Sequence, residues 1–118
     1  MTKEELRTRT KAFGVATITF IRTLPRDAIT SHFVSQLARS STAVGANYRA
    51  SCRAKSRADF IAKMTTVEEE GDESMCWLEV LVETETVPRA AVAPLIDEAD
   101  QLIRIVVASI NTASRGTR

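Results

Sequence analysis

Apolar side chains recur along this chain at steps of three and four residues. No segment alternates convincingly with a period of two, so the pattern predicts helices and no sheet. Leu6, Phe13, Phe20 and Leu24, with Thr10 and Thr17 between them, form a seam over residues 2–24, and Val15, Ile18 and Ile21 are expected to widen it. Pro25 ends this segment, because proline disfavours helical backbone in the residue before it and cannot donate to the ladder. A second stripe, Ile29, Phe33, Leu37, Ser40, Val44, Asn47 and Ser51, predicts a helix over 27–53. Asp27 stands where a side chain can accept the orphan N–H groups of the first turn. The later part of this stripe is built from small residues, so Gly45 reads as a close helix contact rather than a break. That contact carries a propensity cost of about 1 kcal/mol.

Ser56-Arg-Ala-Asp59 resembles a capping box with aspartate in the usual glutamate position. It opens a third helix over 57–85, whose stripe is Phe60, Met64, Val67, Gly71, Ser74, Leu78 and Leu81, flanked by Ile61, Met75 and Val82. In the fourth segment, 89–114, Leu95, Ala99, Leu102, Val106 and Ile110 run beside Ile96, Ile103 and Val107. Two adjacent stripes give a wide apolar face suited to burial, including burial against a neighbouring subunit. Pro88 suits a first-turn position. Pro94 predicts a kink or a start near Ala93, and the small polar residues from Ser114 onward predict a frayed tail. Four amphipathic segments with short connections imply a single all-α domain over 1–118, an antiparallel up-down-up-down four-helix bundle.

The 118 residues suit one domain, and 44% hydrophobic with 26% charged residues argues against disorder. The net charge of +1 does not draw the whole molecule to nucleic acid or membrane, so any electrostatic partner must be read from local patches. Cys52 and Cys76 form no Cys-x-x-Cys pair and read as reduced thiols. The start of the chain is charged and leads into no secretory apolar core, and no apolar run approaches the roughly 20 residues of a membrane span. The expected location is the cytoplasm.

Candidate chemistry is sparse. The single histidine, His32, lies beside Phe33 with no nucleophile signature near it. The acidic stretch 67–79 contains Glu69, Asp72 and Glu73, but no Glu-x-x-His motif accompanies them. A solvated or salt-bridging face is the expected role, with a carboxylate metal site as the competing reading. Phosphate-binding glycine loops and zinc spacings are absent. The chain is therefore expected to be no enzyme and to need no cofactor.

Charge distribution is more informative. Between Arg49 and Lys63 stand Arg49, Arg53, Lys55, Arg57 and Lys63 against one anion, Asp59, whereas Glu68–Glu85 contains eight anions and no cation. If helices two and three fold back about Lys55, Asp72 lies roughly 25 Å along the axis from the turn. That exceeds the screening length of about 8 Å. Arg39 is expected to reach the acidic block, while the cations at the turn remain a basic tip. Arg49, Arg53, Lys55, Arg57 and Lys63 are the candidate contacts to phosphate, with Tyr48 as a candidate stacking platform. The alternative is that the tip meets the acidic block of a neighbouring subunit.

The segments SSTAVGANYRASCRAKSRADFIAKM (residues 40–64), EEEGDESMCWLEVL (68–81) and LIDEADQLIRIVVASINTA (95–113) occur in an order that resembles the bacterial four-helix-bundle family of proteins encoded within intervening sequences of large-subunit ribosomal RNA genes. The resemblance implies an up-and-down bundle assembled as a ring-shaped homopentamer. Relatives of that family include the accessory protein of diversity-generating retroelements, a basic pentameric barrel that binds reverse transcriptase and nucleic acid. Arg49, Arg53, Arg57 and Lys63 match the family's basic positions. The implied partners are thus copies of the chain and RNA, DNA or a nucleic-acid enzyme. The near-neutral net charge departs from the accessory relative.

Overall fold

The computed structural model describes residues 1–116. Four helices follow one another: α1 Lys3–Ile21, α2 Ala28–Ser51, α3 Arg57–Glu83 and α4 Arg89–Arg115. They form an antiparallel four-helix bundle about 53 Å long and 20 Å across. Each helix packs on the next in the chain, and α1 closes against α4 by the slightest of the four contacts.

Local chemistry explains most helix ends. Thr2 and Glu5 form a full capping box at α1, each side chain accepting the other's backbone N–H. Asp27 caps α2 by accepting the Thr30 N–H at 2.9 Å and the Thr30 hydroxyl at 3.0 Å. α1 stops at Ile21, three residues short of the predicted end, because the chain turns as Thr23 and Leu24 donate to the carbonyls of Phe20 and Ile21. At the end of α3, Glu85 takes the left-handed conformation, φ 60°. Its N–H reaches the Val82 carbonyl and that of Thr86 reaches Leu81, satisfying carbonyls the helix would otherwise leave open. α4 starts at Arg89 rather than near Ala93. Pro88 is its cap instead of a first-turn residue, and Pro94 sits inside the helix. Proline cannot donate to the carbonyl of Ala90, but Ala90 is exposed and water can take that role. The helix also continues through Ser114, where a frayed tail is predicted, to Arg115.

The core falls into two clusters. One gathers Leu6, Phe13, Val44, Tyr48, Met64, Val67, Ala99, Leu102 and Val106. The other, towards the α1–α2 and α3–α4 turns, gathers Leu37, Leu78, Leu81, Val87 and Val92. From Leu6 to Thr17 the predicted α1 seam is buried, with the Thr10 and Thr17 hydroxyls each donating at 2.8 Å to the carbonyl four residues earlier, while Phe20 and Leu24 are half-buried. Val15 does not widen that seam and is 59% exposed. On α2, Ile29 is 70% exposed and Thr30 takes the inward position.

Gly45 is the predicted close contact. A Cβ there would stand 3.0 Å from Lys11 Cα and N, so α1 and α2 approach backbone to backbone. Gly14 meets Ser41 and Thr42 one turn further along the same interface.

Candidate nucleic-acid interface

The α2–α3 turn forms one end of the bundle. Cys52 caps α2, donating its N–H to the Tyr48 carbonyl, and Arg53 and Ala54 close the turn onto Ala50 and Ser51. Ser56 then caps α3 through a 3.0 Å bond from the Asp59 N–H. The Asp59 carboxylate does not complete the predicted box on Ser56. It accepts the backbone N–H of Lys55 at 3.0 Å and the Lys63 ammonium through its other oxygen. The Lys63 ammonium and the Lys55 N–H hold the Asp59 carboxyl below its usual range.

The six predicted contact residues therefore separate. Arg49, Arg53 and Lys55 are exposed and have no ion pair among the described residues. Arg49 stands on the last turn of α2 and Arg53 in the turn that follows it. Arg57 is also exposed, and its Nη1 donates at 3.0 Å to the Gly116 carbonyl, a bond that ties α3 to the end of α4 without neutralising the guanidinium. Lys63 is committed to Asp59 and does not stand as a free cation.

Tyr48 is a clear correction. It is 6% exposed and packs in the core cluster with Leu6, Val44 and Met64, so it offers no face for a base to stack on. Burial, followed by the neighbouring Cys52 thiol, pushes its phenol up to about 12. The spacing admits either neighbour, because a step of three from Val44 reaches Asn47 and a step of four reaches Tyr48, and the fold takes the second.

Antiparallel topology also brings the start of α1 and the end of α4 to this end of the bundle. Lys3, Arg7 and Arg115 join it, which a charge reading confined to the hairpin misses. Glu4 pairs with Arg7 at 3.2 Å and Glu5 is held in the capping box, so these two carboxylates are already engaged.

The acidic block lies elsewhere, as the folded-back geometry predicts. Arg39 bridges Glu70, at 3.1 Å, and Glu73. Arg39, then the Trp77 indole N–H, hold the Glu73 carboxyl below its usual range. Glu69 and Asp72 face solvent on the outer side of α3. Among the described residues no three histidine, cysteine or acidic side chains converge to hold a metal ion. His32 packs edge-on against Phe33 and Trp77 on the surface. No helix among the described residues is long and apolar enough to cross a membrane.

No curated protein is a significant match to this chain. It is similar to the crystal structure of a protein of unknown function from the S23 ribosomal protein family of Bacteroides thetaiotaomicron. The two are 28% identical, superpose with a TM-score of 0.87, and align over 95% of this chain and 100% of that one. The 23S rRNA-intervening sequence protein model matches residues 4–108. That match runs across all four helices and most of the chain, and the chain belongs to the 23S rRNA-intervening sequence protein family.

Proposed function

We propose that this chain is a non-enzymatic cytoplasmic protein that binds the phosphate backbone of structured RNA, alone or within a ribonucleoprotein, through the basic end of its bundle. The observation that carries this reading is the exposure of the Arg49, Arg53 and Lys55 side chains, none of them in an ion pair among the described residues, with Arg57 beside them. Unpaired cations at a rigid turn attract phosphate and release condensed counterions on binding. Membership of the 23S rRNA-intervening sequence family makes ribosomal RNA the first ligand to test. With Tyr48 in the core, recognition rests on charge and shape rather than on base stacking.

The test is binding of a structured rRNA fragment across a salt series. Three to four phosphate contacts give a slope of log affinity against log salt of about −2 to −4. Arg53→Glu with Lys55→Glu reduces affinity at low salt by at least tenfold. Binding that is absent at low salt, or indifferent to salt, overturns the reading.

A further inference from the structure

Three backbone donors of the α2–α3 turn are satisfied by the carbonyls of α2. The N–H groups of Cys52, Arg53 and Ala54 reach Tyr48, Ala50 and Ser51 at 3.2, 3.0 and 3.1 Å. Lys55 turns the other way: its N–H donates at 3.0 Å to a carboxylate oxygen of Asp59, on the first turn of α3. The backbone N–H of Asp59 in turn donates to the Ser56 hydroxyl at 3.0 Å. Asp59 is thus bonded to both residues that lead into α3, through its side chain to one and its main chain to the other.

The second Asp59 oxygen is held as well. Lys63 stands one helical turn further along α3 and donates its ammonium to it. Both of these side chains are half-buried, whereas Arg53 and Lys55 are exposed. The order of contacts is therefore a chain: Lys63 fixes the Asp59 carboxylate, and the carboxylate fixes the backbone between Arg53 and the start of α3. A carboxylate at this place is also favoured by the positive end of the helix dipole. An anion beside phosphate-binding cations opposes RNA by Coulomb repulsion, but that repulsion is small in water once Lys63 has neutralised the carboxylate. A loose turn is the larger loss, since each flexible side chain that binding must immobilise weakens affinity by about two- to tenfold.

We infer that Asp59 is a positioning residue of the RNA-binding end: its carboxylate fixes the turn that presents Arg53 and Lys55 to phosphate, and Lys63 serves to fix Asp59 instead of contacting RNA. Resting on the RNA reading above, this assignment makes one anion at the basic end favour binding and takes one cation out of the contact set. A role through charge alone has the opposite sign, because removing the anion would then strengthen binding whatever replaced it.

The experiment measures binding of a structured rRNA fragment across a salt series by the full chain and four variants. Asp59→Asn removes the charge but keeps a carbonyl oxygen for the Lys55 N–H, whereas Asp59→Ala removes both. Asp59→Asn binds no more weakly than the wild type, and Asp59→Ala binds about two- to tenfold more weakly although it has lost the same anion. Lys63→Gln loses a cation but keeps an amide donor for Asp59, and its slope of log affinity against log salt stays at the wild-type value. Lys55→Ala, which removes a phosphate contact, makes that slope shallower by about 0.9. Exchange of the Lys55 amide hydrogen, followed by NMR, speeds up in Asp59→Ala while core amides keep their protection, which separates a loosened turn from a lost fold. Asp59→Ala binding as well as the wild type, Asp59→Asn binding as weakly as Asp59→Ala, or a shallower slope for Lys63→Gln overturns the assignment and leaves the RNA reading standing. A wild-type chain that does not bind, or binds indifferently to salt, overturns both.

Discussion

The hydroxyls of Ser40 and Ser74 meet at 2.9 Å between α2 and α3, both wholly shielded from solvent. Each also has a carbonyl of its own helix in reach, Leu37 at 3.3 Å for Ser40 and Glu70 at 2.9 Å for Ser74. The pair lets two polar residues occupy a core position while the backbones approach closely. Every buried side-chain nitrogen and oxygen among the described residues has a partner, and this one is shared across an interface.

Replacing either serine by alanine is expected to cost about 1 kcal/mol, because the remaining hydroxyl keeps its own carbonyl. Ser40→Val adds bulk with no space to receive it and costs about 1–3 kcal/mol. Chemical denaturation of the variants orders them in this way.

Gly45 and Gly71 provide a matched comparison. A Cβ at Gly45 meets Lys11 backbone at 3.0 Å, whereas at Gly71 it meets the Ile103 side chain at 3.0 Å. Side chains yield more cheaply than backbone. Gly45→Ala is therefore expected to destabilise by about 1–3 kcal/mol. In Gly71→Ala the helix-propensity gain of about 1 kcal/mol offsets the strain. Thermal unfolding of both variants measures the difference.

Glu85 holds a left-handed position without being glycine. Removing its Cβ strain, partly offset by greater freedom in the unfolded chain, makes Glu85→Gly stabilising by about 0.5–1 kcal/mol. A lowered melting temperature for this variant would contradict the account of the α3 end.

Tyr48→Ala is expected to cost about 3–5 kcal/mol of stability, the range for emptying an aromatic core position. Tyr48→Phe should leave RNA affinity unchanged, since the ring never reaches the surface. The two readouts separate a packing role from a contact role. Because its folded-state value is raised to about 12, the neutral phenol supports the fold fully below pH 10 and that support is lost as pH rises towards 12.

Acid acts in the opposite direction on Glu73. Its folded-state value lies below the ordinary 4.5, so its contribution is present above that pH and lost as pH falls through the folded value. Trp77, whose indole N–H donates to Glu73 at 3.2 Å, reports that step by fluorescence. Glu73→Gln should remove the acid transition in the Trp77 signal.

Four helices, their order and the caps Asp27 and Ser56 were legible in the sequence, because apolar spacing and cap residues act over one or two turns. The pairing of Arg39 with the acidic block was legible too, since a hairpin of two helices leaves little freedom in which residues lie level. The basic end was legible only in part. Arg49, Arg53, Lys55 and Arg57 face solvent as charged residues at a turn must, yet a charge pattern does not reveal that Asp59 is already shared between Lys63 and the backbone of Lys55.

By itself, then, the sequence determined a helical bundle with a cationic turn, through periodicity, caps and charge placed along one dimension. Tertiary structure decided which of two neighbouring side chains turned inward, Thr30 over Ile29 and Tyr48 over Asn47. Successive helical residues differ by about 100° in direction, so a small rotation set by the packing of α1 and α3 against α2 reassigns core and surface.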